Sequence, residues 1–241
     1  MTSSPKASLP FLCIEGNPRP GTPFRPTTEL VTQADLPLLA SRLPGDVGEL
    51  VFIREFPGPR GVADAVAVFD WREDFVRRRA LNLTPIESQV DCLLVSAFHV
   101  HRTLTAQAVA ERLSLSFEQV MRRTKRLSES GYLMAKGAGF RRVDGIAPIG
   151  RMYALEAKVS DWKRGMGQAV RYATWADAAA VALSRPPARF EETLNLYSRL
   201  NLGLAIDGEW VARPVVRSTN SALRLKASEE FFSHLMRLET F

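Results

Sequence analysis

The chain has 241 residues, of which 46% are hydrophobic and 24% are charged, a composition typical of globular proteins. Its two cysteines, Cys13 and Cys92, are too few for a disulfide scaffold or a cysteine zinc site, so we expect a reducing, cytoplasmic environment. The net charge of +6 predicts an anionic partner, and most of the excess lies between Trp71 and Gly150, which contains 13 lysines and arginines and 8 acidic residues. No apolar run approaches the ~20 residues of a membrane span, and the start has no signal-peptide pattern, so no membrane contact is expected.

The first third of the chain predicts an arm, a short helix and a strand pair. Residues 1–28 contain six prolines and little periodicity, which predicts an extended or disordered arm. Residues 35–43 predict a helix stopped by Pro44 and Gly45. Residues 50–56 and 62–69 predict two strands of a hairpin. Asp64 interrupts the second, almost wholly apolar strand, and burying a carboxylate there is costly without a partner or a metal.

The basic segment predicts three helices followed by a hairpin. Thr84, with Pro85 and Glu87 behind it, predicts the start of a helix reaching about residue 98. Thr105 is expected to cap a helix over residues 106–113, and Ser116 one that ends at about residue 131. Residues 132–136 and 140–143 then predict a small hairpin. This order is similar to a winged helix-turn-helix.

The third of these helices is the expected DNA-reading element. Helical spacing buries Val120, Thr124 and Leu127 and leaves a basic surface outside. In a winged helix-turn-helix this helix enters the major groove while basic residues hold phosphates. The alternatives are a solvated charged face or a surface for protein docking. The predicted DNA contacts are Gln119, Arg122, Arg123 and Arg126 of the helix and Lys136, Arg141 and Arg142 of the hairpin.

The last third begins with a strand that carries charged residues. In residues 153–158 alternation places Glu156 and Lys158 on one strand face. Asp161 is expected to cap a helix to about residue 175 that carries Gln168, with its aromatic residues in the core. The remaining pattern predicts a strand at 178–183, a helix at 189–200, a hairpin at 202–206 and 209–213, and a helix at 229–238 capped by Ser228.

With residues 72–150 set aside, these elements resemble the PD-(D/E)xK superfamily of restriction-endonuclease-like nucleases. The resemblance implies a mixed α/β sheet flanked by helices. It implies that Asp64 and Glu156 bind Mg²⁺ or Mn²⁺, that Lys158 activates water and that Gln168 supports the site. Two carboxylates suit Mg²⁺, which keeps several of its waters. The family also suggests a further acid from the first helix, for which Glu29 and Glu49 both remain candidates.

The sequence departs from that family in two places. Ala63 precedes Asp64 where the family name has proline, and 92 positions separate Asp64 from Glu156. An inserted domain explains the separation, because loop tips accept insertions when their ends lie close together. The predicted divisions are an arm at 1–28, a nuclease-like domain at 29–71 and 151–241, and an inserted winged helix-turn-helix domain at 72–150.

The resulting prediction is a DNA-binding, metal-dependent nuclease (a hydrolase) acting in restriction, defence against foreign DNA, or repair. A homodimer is suggested by how such domains often work. The first alternative is a winged-helix transcriptional regulator whose nuclease-like domain is catalytically inactive and serves dimerisation or sensing. The second is a protein-docking role for the winged helix within a defence complex.

Overall fold

The computed structural model describes residues 11–14 and 27–238, a mixed α/β protein with a seven-stranded sheet, a two-stranded sheet and eight α-helices in that part of the chain. The strands are β1 Leu12–Ile14, β2 Val51–Gly58, β3 Gly61–Phe69, β4 Leu133–Lys136, β5 Gly139–Arg142, β6 Arg151–Lys158, β7 Ala178–Leu183, β8 Gly203–Ile206 and β9 Glu209–Ala212. The helices are α1 Thr27–Ser41, α2 Arg72–Ala80, α3 Gln89–Ala97, α4 Ala106–Leu113, α5 Phe117–Glu129, α6 Trp162–Tyr172, α7 Phe190–Leu200 and α8 Ser221–Leu238.

The chain divides into two compact units. The sheet unit contains the described residues up to Pro57, Gly61–Asp70 and Arg151–Arg217. The helical unit contains Gly58–Arg60, Trp71–Gly150 and the chain from Ser218 onward. The last helix, α8, was expected beside the sheet but belongs to the helical unit, where it packs on α3.

The large sheet has the strand order β1-β2-β3-β6-β7-β8-β9. Strands β6, β7 and β8 are parallel, whereas β3 runs antiparallel to β6 and β9 antiparallel to β8. One face of the sheet packs against α1 through an apolar core that includes Leu36, Leu39, Tyr153, Leu155 and Phe69. This core leaves the opposite face of β3 and β6 to α6.

The N-terminal segment differs from the expected arm where the structure describes it. Leu12–Ile14 pairs in parallel with Val51–Ile53 and forms an edge of the large sheet. Helix α1 begins at Thr27, eight residues before the predicted start at residue 35, and it continues through Pro37. The rest of the predicted arm, residues 1–10 and 15–26, lies outside the described residues.

Helix α3 begins later than the sequence predicts. Ser88, not Thr84, is its N-cap. The backbone before Ser88 is bonded elsewhere: the Arg78 guanidinium donates to the Thr84 carbonyl over 2.8 Å, and the Ile86 N–H donates to the Glu229 carboxylate over 2.8 Å. These buried side chains hold residues 84–86 in a non-helical path, so the Thr-Pro-x-Glu pattern does not act as a cap.

The expected cap of the final helix is also wrong. Helix α8 begins at Ser221, and the Asn220 side chain accepts hydrogen bonds from the N–H groups of Ala222 and Leu223, each over 3.1 Å. Ser228 lies inside the helix, where its hydroxyl accepts from the Ile149 N–H over 2.6 Å. In the sequence, a serine inside a helix whose hydroxyl bonds to another segment looks the same as an N-cap serine.

The predicted bounds of α4 and β7 are confirmed, and the caps of Thr105, Ser116 and Asp161 form as expected. The strands and helices near residues 51–69, 133–142, 151–158 and 190–212 lie within about two residues of their predicted positions.

Candidate active site

Pairing between β3 and β6 brings the two predicted carboxylates together. Ala65 lies opposite Leu155 in this antiparallel pair, so Asp64 and Glu156 are neighbours one step further along the two strands. Asp64 Oδ2 accepts a hydrogen bond from the Ala157 N–H over 2.8 Å. The 80-residue segment from Trp71 to Gly150 thus separates the two acids in the sequence but not in space.

Strand alternation directs Asp64, Glu156 and Lys158 to the face of the sheet that meets α6. The close approach of this helix depends on Gly165. A Cβ at that position would lie 2.8 Å from Val181 Cγ1 and 3.3 Å from Lys158 Cγ. Gly165 therefore allows α6 to lie against the charged part of the sheet.

The Glu156 carboxylate, only 1% exposed, is the centre of a hydrogen-bonded cluster. Lys158 Nζ donates to its Oε1 over 2.7 Å, and the Gln168 side-chain amide donates to the same oxygen. The Tyr172 hydroxyl lies 2.9 Å from Oε2. Lys158 Nζ also donates to the Ala157 carbonyl over 2.8 Å. The structure thus brings together all four predicted catalytic residues.

Tyr172, which we expect in the core and which ends the run Gln168–Tyr172 that resembles the nuclease family, is a further member of this cluster. It lies one helical turn after Gln168, and this i, i+4 spacing on one helix face is the signal that could have identified it. Its hydroxyl also lies 2.7 Å from the Val62 carbonyl. The hydroxyl therefore connects α6 to both β3 and β6.

The pKa of Glu156 is raised from 4.5 to about 7. Burial is the largest cause, and the negative charge of Asp64 adds to it. The Lys158 ammonium and the Tyr172 hydroxyl oppose the rise by stabilising the carboxylate. The pKa of Tyr172 is itself raised by burial and by the adjacent Glu156 carboxylate. Glu156 therefore changes its charge near neutral pH.

The donor set of this cluster fits a small hard cation. Asp64 and Glu156 offer carboxylate oxygens, and Gln168 Oε1 is buried with no hydrogen-bond partner among the described residues. Oxygen ligands are those that Mg²⁺ and Mn²⁺ prefer. Within residues 11–14 and 27–238, no group of three or more His, Cys, Asp and Glu residues could hold a metal ion. A site here would therefore use the two acids, with water and substrate completing the coordination.

Of the two candidates for a further acid, only Glu49 has a side chain that the structure describes. Glu29 belongs to α1, and its side chain is outside the described part of the structure. Glu49 ends a short 3-10 turn, Val47–Glu49, just before β2. That position is the far end of β2 from the turn leading to Asp64, so Glu49 is not part of the cluster.

In the helical unit, α5 has the expected amphipathic arrangement. Val120, Thr124 and Leu127 are buried, and the Ser116 hydroxyl accepts from the Gln119 N–H over 3.2 Å. Gln119 itself is half-buried in the first turn. The outward face carries a cavity of about 330 Å³ lined by the three predicted arginines, Arg122, Arg123 and Arg126.

Two of these arginines share a partner that the sequence does not predict. Asp91 on α3 is buried, and its two carboxylate oxygens bind different residues. Oδ1 lies 2.8 Å from Arg123 Nη1, and Oδ2 lies 2.6 Å from Arg126 Nη2. Asp91 is 32 positions before Arg123, so no local pattern in the sequence could pair them.

The predicted hairpin residues lie on β4 and β5. Lys136 is exposed, and Arg141 Nη2 lies 3.6 Å from Met134 Sδ. Arg142 is half-buried, and burial lowers its pKa while the nearby Asp144 partly opposes that change. The hairpin is joined to the segment before α4 through paired N–H···O bonds between Leu104 and Phe140.

Comparisons of the chain with protein-family models, with curated proteins and with solved structures gave no match in any of the three. No helix within residues 11–14 and 27–238 is long and apolar enough to cross a membrane.

Proposed function

We propose that the protein is a metal-dependent nuclease that hydrolyses DNA phosphodiester bonds, with a restriction-endonuclease-like sheet unit and an inserted winged helix-turn-helix in the helical unit. The observation that carries this proposal is the meeting of Asp64, Glu156, Lys158 and Gln168 on one sheet face. Two acids that can bind a metal, a lysine and a side-chain amide at one strand end form a group of residues suited to phosphoryl chemistry.

Each side chain has a task that follows from its contacts. Asp64 and Glu156 would hold Mg²⁺ or Mn²⁺, which when bound neutralises phosphate charge and lowers the pKa of a water molecule. The Lys158 ammonium, adjacent to Glu156, would orient the attacking water and stabilise negative charge as it develops. Gln168 and Tyr172 fix the position of the Glu156 carboxylate.

The raised pKa of Glu156 gives the proposed reaction a pH dependence. Cation binding requires the ionised carboxylate, and at a pKa of about 7 only half of this group is ionised at neutral pH. We therefore expect the cleavage rate to rise with pH through about 7.

The helical unit supplies the proposed DNA contacts. Helix α5 presents Arg122 and Arg126 to solvent, and Lys136 is exposed on the adjacent hairpin. The excess of lysines and arginines between Trp71 and Gly150 favours binding to a polyanion. Restriction, defence and repair are the settings in which a DNA-binding nuclease of this kind would act.

The test is nicking of a supercoiled plasmid with Mg²⁺, with Mn²⁺ and with EDTA. The wild type is compared with Lys158→Ala and Asp64→Ala, and Lys163→Ala, an exposed lysine on α6, is the matched control. We expect metal-dependent nicking by the wild type and the control, and at least a hundredfold loss, roughly, in the other two. Nicking that persists in Lys158→Ala would contradict the assignment.

One observation favours a second candidate function. Glu156 is almost fully buried and its two oxygens already have three hydrogen-bonding neighbours, an arrangement that a structural ion pair also adopts. A winged-helix regulator that retains this cluster for stability would bind a DNA operator tightly without Mg²⁺ and without turnover. Tight binding together with no nicking under any metal condition would select this function.

A further inference from the structure

Three positive side chains of α5 surround one concave surface, which we call the arginine pocket: Arg122, Arg123 and Arg126 around a cavity of about 330 Å³. Like charges in a shared cavity repel one another, so such a cluster is favourable only with anions nearby. One anion is built in, because the Asp91 carboxylate binds Arg123 and Arg126 from below the helix surface.

Asp91 is placed to hold both guanidinium groups in fixed directions. Its side chain is only 8% exposed, and it belongs to the first turn of α3, whose cap Ser88 accepts from the Asp91 N–H over 3.4 Å. One carboxylate oxygen serves each arginine. Each guanidinium has five N–H donors, so most donors remain after these bonds are made.

The arginine pocket has a net positive charge. Three arginines and one carboxylate give a net charge of about +2 at neutral pH. Arg122 is exposed, and Arg123 Nε is buried without a hydrogen-bond partner among the described residues. Planar, bidentate N–H donors in a cationic concavity match the oxygens of a phosphate group.

We propose that Asp91 is a positioning residue that orients Arg123 and Arg126, which together with Arg122 form one binding pocket for a phosphate group. This inference rests on the proposed function insofar as the phosphate belongs to the DNA backbone. A free phosphate or a phosphorylated small ligand has the same chemistry, and the arms of the experiment below separate the two sources.

Two roles for Asp91 predict opposite effects of Asp91→Asn on DNA affinity. If Asp91 only neutralises the arginines, Asp91→Asn raises the net charge by one and DNA binding becomes tighter. If Asp91 positions them, the same change weakens binding although the protein becomes more basic. We expect binding about tenfold weaker, because two guanidinium groups lose the orientation that the carboxylate imposes.

The experiment uses the full-length protein and a fluorescein-labelled duplex, with anisotropy measured over a series of salt concentrations. The variants are Asp91→Asn and Arg122→Ala, and the control is Arg199→Ala, an exposed arginine at the end of α7. Arg122→Ala should weaken binding and lower the slope of log K against log salt by about one, and the control should leave both unchanged. Circular dichroism establishes that each variant is folded.

A second measurement avoids substitution of Asp91 altogether. Wild-type protein is modified with phenylglyoxal, which reacts with guanidinium groups, in the presence of inorganic phosphate or of the duplex, and the sites are read by mass spectrometry. We expect both additives to slow modification at Arg122 and Arg126 relative to Arg199. If Asp91→Asn does not fold, this measurement still tests the pocket, because absence of protection at Arg122 and Arg126 overturns the inference.

The outcomes separate the pocket from the proposed function. Duplex binding by the wild type that Arg122→Ala leaves unchanged, or that Asp91→Asn tightens, overturns the pocket and leaves DNA binding standing. Failure of the wild type to bind any duplex overturns the DNA contact. Protection by inorganic phosphate would then assign the pocket to another phosphate ligand, and no protection would overturn it as well.

Discussion

The buried ammonium of Lys158 limits how strongly the stability of the sheet unit falls with rising pH, because it opposes the rise in the pKa of Glu156. Its side chain is 11% exposed and it lies 2.7 Å from the Glu156 carboxylate, which is 1% exposed. In Lys158→Met the apolar stem is kept and the positive charge is removed. We expect this variant to be strongly destabilised above pH 8 and nearly as stable as the wild type at pH 5.

The sign follows from the pKa of Glu156. Because the folded state raises this pKa from 4.5 to about 7, ionisation of Glu156 opposes folding, and stability falls as pH rises from about 4.5 through about 7. At 1.36 kcal/mol per unit this wild-type loss is about 3 kcal/mol. Without Lys158 the pKa rises further, so the fall continues above pH 7. Leaving one member of a buried pair uncompensated typically costs about 3–5 kcal/mol, which we expect at high pH.

The assay is urea unfolding between pH 5 and pH 9, followed by tryptophan fluorescence, since buried Trp175 contacts Tyr172 beside the cluster. Lys163→Met is the control, because Lys163 is an exposed lysine of α6. Its difference from the wild type should be small and constant with pH. A difference for Lys158→Met that is the same at pH 5 and pH 9 would refute the coupling between the two side chains.

Three further predictions test other parts of the structure. Gly165→Ala should lower the free energy of unfolding by about 1–3 kcal/mol through overpacking. Gly167→Ala should raise it by about 0.5–1 kcal/mol, because the new Cβ would meet no described atom within 4 Å apart from the nearby backbone of its own helix. Thermal melts that give both changes the same sign would contradict this. Tyr172→Phe removes a hydrogen-bond donor to Glu156 and so raises the pKa of Glu156. The pH at which nicking reaches half its maximal rate should therefore increase, and an unchanged value would exclude this role for Tyr172. Arg78→Met removes the positive partner of the buried Glu229 carboxylate and should lower the free energy of unfolding by about 3–5 kcal/mol, measured by urea unfolding. A loss below about 1 kcal/mol would show that the Arg78–Glu229 pair contributes little.

The regular elements could be predicted because their signals are local. The alternation of residues 153–158 and the caps at Thr105, Ser116 and Asp161 depend on neighbours within a few positions. The joining of Asp64 to Glu156 was predicted by resemblance to a family rather than by pattern, because it requires strand pairing across the intervening segment.

The predictions that were wrong or incomplete depend instead on contacts between residues that are distant in the sequence. The Thr84 pattern does not begin a helix because Arg78 and Glu229, distant in sequence, take the backbone groups around it. Asp91 could not be identified as the partner of Arg123 because the two helices meet only after folding. The last helix was assigned to the sheet because sequence order is the default guide, yet its apolar residues pack within the helical unit.

The division of the chain also sets an order of completion during synthesis. A ribosome makes α2 to α5 before β6 to β9, but the helical unit lacks α8 until Ser221–Leu238 is made, whereas the sheet unit needs nothing after Arg217. Domains generally fold as units while the chain is made. The sheet unit, although interrupted, is therefore able to close first, while the helical unit still lacks its last helix.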